Sequence, residues 1–201
     1  MIPAANRYTA VLDASVLFPN MKRDLLLRFF EADLYRARWT EQIQQEWLTS
    51  AIAKYADKED QLRRTDALMR EHFEDAWVDG YERFIDTVVL PDSDDRHVVA
   101  AAIRTNAQYI VTDNLKHFPE ETLSELDIER GSADKFLAST FEHYELEAMG
   151  IIREHRANLR SKPTAPEYLM NLISKGLPLL SARLKPHRDA IKPTRICTTG
   201  P

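Results

Sequence analysis

Tyr8-Thr-Ala-Val-Leu-Asp13 is a short apolar run that closes on a carboxylate. The run predicts a buried strand, and an Asp at its end places an ionisable group where the sheet gives way to loop. Working outward, Tyr35 to Trp39, Asp86 to Leu90, Tyr109-Ile-Val-Thr112 and Asp127 to Glu129 are further strand candidates. Between them the apolar spacing is helical: Leu25 to Phe30, then Ile43, Trp47, Leu48 and Ile52 behind an N-cap at Thr40. Further helices are predicted over Asp57 to Ala76, Asp95 to Arg104, Thr122 to Leu126, and Ala133 to Ala148 behind Ser132. Strands that alternate with helices imply βαβ units, hence the α/β class with a mainly parallel central sheet covered on both faces.

The 201 residues suffice for one ordinary domain and an appendage. No apolar run approaches the ~20 residues of a membrane span, and residues 1–6 lack the pattern of a secretion signal. The single cysteine, Cys197, excludes an internal disulfide and a cysteine-built zinc site. These features lead us to expect a cytoplasmic protein without a membrane partner. The net charge of −5 is unevenly distributed. From Ile151 onward there are 10 Lys and Arg against 3 Asp and Glu, leaving 17 against 29 in the first 150 residues. Ser161-Lys-Pro-Thr-Ala-Pro166 resembles a linker, and Glu167 to Ser174 and Leu177 to Leu184 form a helical pair too short to hold a core alone. The pair is expected to dock on the body through Leu169, Leu172, Ile173, Leu177 and Leu180, leaving its Lys and Arg side chains free to attract phosphates or to meet an acidic segment of a protein partner. The division expected is a domain over 1–146, a small helical extension over 147–185, and a flexible tail over 186–201.

In open α/β sheets, ligands bind in the crevice beyond the carboxyl ends of the strands. There the chain gathers Asp13, Asp95 and the pair Asp113 and Asn114, with Glu46 on the helix behind Thr40. Taken singly, each has an ordinary explanation: Asp13 and Asp95 could cap helices, Glu46 could be a solvated helix residue, and Asp113 could make an Asx turn. Taken together, they are what hydrolysis of a phosphodiester needs. Divalent ions such as Mg²⁺ or Mn²⁺ are held by carboxylate oxygens, lower the pKa of water and offset charge on the departing oxygen. Crowded carboxylates repel one another, and a cation relieves that repulsion.

Order and spacing carry a resemblance over residues 8 to about 140. Val11-Leu-Asp13-Ala-Ser15-Val-Leu17 resembles the opening motif of PIN domains, and Glu46 their helix-borne glutamate. Leu90-Pro-Asp-Ser-Asp-Asp95-Arg-His-Val-Val-Ala-Ala-Ala102 resembles the third motif, and Ile110-Val-Thr-Asp-Asn114-Leu-Lys-His-Phe-Pro119 the fourth. The chain is most similar to bacterial toxin-like members of the VapC type. The segments Glu154 to Arg160 and Gly176 to Pro178 resemble the C-terminal segment of extended members. The resemblance implies a PIN-like α/β/α sandwich with a C-terminal helical extension and a Mg²⁺- or Mn²⁺-dependent endoribonuclease activity. It implies Asp13, Asp95 and Glu46 as metal ligands, with Ser15 and Thr112 as supporting hydroxyls. The family position Thr-x-Asp or Thr-x-Asn lands on Asn114, with Asp113 between, so both residues remain candidates for the catalytic set. The implied partners are RNA, a cognate antitoxin protein and a second copy of the chain in a homodimer.

Two other readings compete. A phosphotransferase of the haloacid dehalogenase kind also begins with a strand ending in Asp, but it needs a second Asp where this chain has Ser15. A non-catalytic PIN-fold assembly module sequestered by a protein partner would not need the complete set Asp13, Glu46 and Asp95. No GxxxxGK phosphate loop is present. His97, His117, His143 and His155 show no metal-motif spacing and are expected to be surface or packing residues.

Overall fold

Four strands form one sheet in the order β2-β1-β3-β4, all parallel, in a computed structural model that describes residues 8–191. They are β1 (Thr9–Leu12), β2 (Arg36–Arg38), β3 (Tyr109–Val111) and β4 (Glu129–Gly131). The chain leaves β1 for β2 on one side and later returns to pair β3 on the other. The crevice beyond β1 and β3 is therefore the switch point of the sheet, where such folds bind ligands. Ala10, Val11, Leu12, Ile110 and Val111 are fully buried, as expected of strands covered on both faces.

The helices are α1 (Ala14–Leu17), α2 (Asn20–Glu31), α3 (Glu41–Lys54), α4 (Glu59–His72), α5 (Arg96–Thr105), α6 (Glu120–Ser124), α7 (Ala133–His143), α8 (Glu145–Asn158), α9 (Ala165–Ser174) and α10 (Pro178–Leu184). With helices packed on the sheet, the architecture is the expected α/β/α sandwich with a helical C-terminal extension. Helix α5 packs on β1 and β3. Its Val98-Val-Ala-Ala-Ala102 face is buried throughout, because small side chains let a helix approach a sheet closely. The expected N-caps are present: the Thr40 hydroxyl accepts from the Ile43 N–H at 3.2 Å and the Ser132 hydroxyl from the Lys135 N–H at 3.2 Å.

Several predicted elements differ. Asp86 to Leu90 joins no ladder: a 3₁₀ turn over Glu82–Thr87 gives way to extended chain, with Val88 and Leu90 buried and Val89 exposed. The alternation is that of a strand, but among the described residues it pairs with no strand. The last strand starts at Glu129, since Asp127 adopts φ 55°, outside the range of a ladder residue. The helix predicted over Asp57 to Ala76 is α4 flanked by 3₁₀ turns at Ala56–Lys58 and Glu74–Ala76. The helix predicted over Ala133 to Ala148 is two helices, broken at Tyr144, so that α7 packs on α10 while α8 turns onto α2.

Helix α8 runs through residues 146 and 147, so the body and the extension share it without a linker. The extension is anchored by buried polar contacts as well as by Leu169, Leu172, Leu177 and Leu180; Ile173 remains exposed. Both oxygens of Asp134 on α7 accept backbone N–H groups at the start of α10, from Leu179 at 2.8 Å and Leu180 at 2.9 Å. His155 of α8 accepts or donates at 2.7 Å to the Tyr168 hydroxyl on α9 and lies 3.2 Å from Asp24 on α2. Arg156 is buried and donates to the carbonyls of Pro163 and Ile191. Of the tail expected to be flexible, Pro186 and residues 188–190 are exposed, His187 is half-buried and Ile191 is fully buried; residues 192–201 lie outside the described residues. Thr164 and Glu167 form a capping box, so the expected linker ends at Pro163 and α9 begins inside it. Among the described residues, no helix is long and apolar enough to cross a membrane.

Candidate active site

Asp13 follows β1 directly, and its N–H donates to the Val111 carbonyl at 3.0 Å, which extends the β1–β3 pairing to the mouth of the crevice. Its side chain does not cap α1. Instead, Asp13 Oδ2 accepts the Ser15 hydroxyl at 2.5 Å and the Thr112 hydroxyl at 2.7 Å. Among the described residues, no donor reaches Asp13 Oδ1. Asp13 is nearly buried and Thr112 fully so, and the carboxylate is therefore held rigidly with one oxygen unused. The same two hydroxyls shape the fourth motif: Ser15 Oγ accepts the Asp113 N–H and Thr112 Oγ1 the Asn114 N–H, both at 3.0 Å.

Asp95 stands at the N-cap of α5, but its side chain makes no capping hydrogen bond. Within this acidic turn Asp92 takes the capping role, accepting the Asp94 N–H at 3.1 Å. Burial pushes the Asp95 carboxyl above the usual carboxylate range; the negative charges of Asp13 and Asp92 add to this, and a hydrogen bond with His117 only partly offsets it. Asp13 and Asp95 are thus close enough to repel. Asp92, Asp95 and His117 each bring a ligand atom within 4.8 Å of the others.

Glu46 lies on α3, where its Oε1 is 3.1 Å from Gln42 Nε2 and 3.1 Å from Nε2 of the buried His97 on α5. That contact ties Glu46 to the helix that Asp95 opens. Asp113 faces elsewhere: its carboxylate pairs with Lys22 at 2.6 Å and accepts the Ala133 N–H at 3.4 Å. Asn114 is exposed and precedes a short 3₁₀ turn that carries His117 back to Asp95.

His143 is at the surface and His97 and His155 are buried, within the expectation, but three of the four histidines also meet carboxylates. His97 and His117 are partners of two candidate carboxylates, and His155 is a buried clamp. Their sequence signal was faint. His97 stands two residues after Asp95 and His117 three after Asn114, so only the fold shows which carboxylate each one meets.

Among known proteins, the PIN domain family model matches residues 9–116 and the VapC50 C-terminal domain model matches residues 133–186. A curated relative from Mycobacterium tuberculosis (strain ATCC 25618 / H37Rv), named "Putative ribonuclease VapC50", is 34% identical over 91 residues. That stretch covers 45% of this chain and 54% of the relative, so the similarity spans about half the length of the curated protein. No solved structure matches. With more than half of its length matched by that family's model, the chain belongs to the PIN-domain family.

Proposed function

We propose that this chain is a divalent-metal-dependent endoribonuclease that cleaves single-stranded RNA and serves as the toxin of a toxin–antitoxin pair. The observation that carries the proposal is the Asp13 carboxylate, held on one oxygen by Ser15 and Thr112 beside an Asp95 whose ionisation is opposed by burial and by Asp13. A site that crowds carboxylates and leaves an oxygen unused fits a hard cation, which offsets the repulsion.

Asp13, Asp95 and Glu46 would hold the ion, and Asn114 offers a neutral oxygen at the same mouth. Mg²⁺ and Mn²⁺ both suit such an oxygen-rich set. A divalent ion there lowers the pKa of a water and offsets charge on the departing oxygen. The chain's own groups position the ligands. Ser15 and Thr112 fix the orientation of Asp13, His117 that of Asp95, and His97 that of Glu46. With Asp113 committed to Lys22, we assign it to anchoring the loop rather than to the metal.

The test is cleavage of single-stranded RNA by the purified chain in Mn²⁺, Mg²⁺ and EDTA. Activity that needs the metal and is lost in Asp13→Asn and Asp95→Asn supports the reading; equal activity in both variants sinks it. The pairing is tested separately, by whether the product of the neighbouring reading frame forms a complex with the chain and suppresses cleavage.

A further inference from the structure

A cavity of about 690 Å³ opens where α1 meets α2, between the end of α3, the start of α4 and the C-terminal extension. Its wall combines aromatic rings with exposed cations. Phe18 and Tyr55 form a stacked pair, with centroids 6.2 Å apart and planes at 25°. The Lys54 ammonium lies 5.3 Å from the Phe18 ring and 5.6 Å from the Tyr55 ring, and that of Lys58 lies 5.5 Å from Tyr55. Lys175, at the end of α9, also lines the cavity, as does the buried Arg23. All three lysines and Tyr55 are exposed, and among the described residues none of these lysines pairs with a carboxylate. Among the described residues Asp24 is the one acid on the wall, and it already pairs with Arg28 at 2.8 Å and lies 3.2 Å from His155.

The cavity adjoins the candidate active site. Helix α1 starts beside Asp13 and has Phe18 at its end, a span of about 7 Å at 1.5 Å per residue. Lys22, which pairs with Asp113, comes within 3.1 Å of the position that a side-chain carbon on Gly176 would take, next to Lys175. A strand whose phosphate reached Asp13 and Asp95 would therefore have its neighbouring nucleotides over Phe18, Tyr55 and the lysines.

We propose that this cavity binds the single-stranded RNA flanking the cut, with one base stacked on the Tyr55–Phe18 pair and the adjoining phosphates on Lys54, Lys58 and Lys175. The proposal rests on the nuclease reading above and names the substrate path of that site. Aromatic stacking is tolerant of base identity, whereas lysine–phosphate pairing makes binding depend on salt. The mode of recognition is thus a flexible strand with splayed bases, since duplex RNA presents no free base face to Tyr55.

The experiment measures binding of a short fluorescein-labelled, unstructured single-stranded RNA by anisotropy in EDTA, across a salt series, and cleavage of the same RNA in Mn²⁺. Tyr55→Ala is expected to weaken binding about tenfold and Tyr55→Trp to restore it. The pair Lys54→Ala and Lys58→Ala, at exposed positions that cannot unsettle the core, should reduce the salt slope by about 0.7 for each phosphate that is no longer neutralised. If affinity and slope are the same as in the wild-type protein, or if the wild-type protein does not bind this RNA, the proposal is overturned. The two readings fail separately. Cleavage without any effect of these variants removes the groove and leaves the nuclease, whereas groove-dependent binding without cleavage in Mn²⁺ does the reverse.

Discussion

Nδ1 of His117 lies 2.6 Å from Oδ2 of Asp95 and 3.5 Å from Oδ2 of Asp92. The contact crosses from the fourth motif to the third and orients the carboxylate that opens α5. Outer partners of metal-holding carboxylates commonly matter about 10- to 100-fold. His117→Ala is expected to weaken Mn²⁺ binding by that factor in a calorimetric titration with no loss of fold. Unchanged affinity would show that Asp95 needs no such partner.

The raised pKa of Asp95 links the site to stability. A carboxyl whose folded pKa exceeds its unfolded one is stabilising in acid, and that contribution is lost as the pH rises through the folded value. At neutral pH without metal, ionised Asp95 therefore lowers stability. Asp95→Asn should melt higher than the wild-type protein in EDTA at neutral pH, and the gap should shrink as the pH falls. Mn²⁺ should narrow or reverse the gap, because only the intact set gains from binding. Melts recorded across pH with and without Mn²⁺ check both parts.

Thr112 is buried and serves two partners, Asp13 Oδ2 at 2.7 Å and the Asn114 N–H at 3.0 Å. Thr112→Val keeps the shape but removes both bonds. We expect a stability loss of about 1–3 kcal/mol by denaturant unfolding, as for a buried group left unpaired. Cleavage should fall as well, since Asp13 is left with one of its two positioning hydroxyls. Ser15→Ala, at a less buried position, should cost less stability.

Asp113 and Lys22 form a partly buried pair at 2.6 Å. If Asp113 anchors its loop, Asp113→Asn should retain far more cleavage than Asp95→Asn under saturating Mn²⁺, and Lys22→Met should reduce activity to a similar degree as Asp113→Asn. The double variant should then be no worse than either single one, the mark of residues acting as a unit. An Asp113→Asn variant as inactive as Asp95→Asn would instead place Asp113 among the metal ligands.

Because α8 spans the expected boundary and Leu172, Leu177, Leu180 and Leu184 are fully buried, the extension belongs to the fold. Truncation at Gly150 should abolish a cooperative melt. Leu172→Ala should cost about 2–5 kcal/mol, typical of a buried leucine. Asp134→Ala removes the acceptor for two N–H groups at the start of α10 and should cost about 0.5–2 kcal/mol, as removal of a cap does.

Much of the fold was legible because hydrophobic period is local. The runs ending at Asp13 and Thr112 announce buried strands by themselves, and Thr40 and Ser132 mark helix starts by hydrogen bonds that span three residues. Asp86 to Leu90 misled because strand pairing is not local: its alternation is strand-like, but only the fold shows that it joins no ladder among the described residues. The partner of Asp113 was likewise not legible, because adjacency to Asn114 in sequence gives no warning of Lys22, which is 91 positions away.

By itself, then, the sequence determined the α/β class, the buried strands that end before Asp13 and Thr112, and the carboxylates that the chain could offer at the ends of its strands. Propensity, capping and apolar spacing act over a few residues, and they leave their record in the chain. Only the tertiary structure decided which side chains meet. It brought Thr112 to Asp13 across 99 positions, His117 to Asp95 across 22, and Lys175 of the extension to the groove beside Phe18 and Tyr55. Such meetings depend on how the β1–β3 pairing and the packing of α8 and α9 close distant segments together, and no local rule along the chain encodes that geometry.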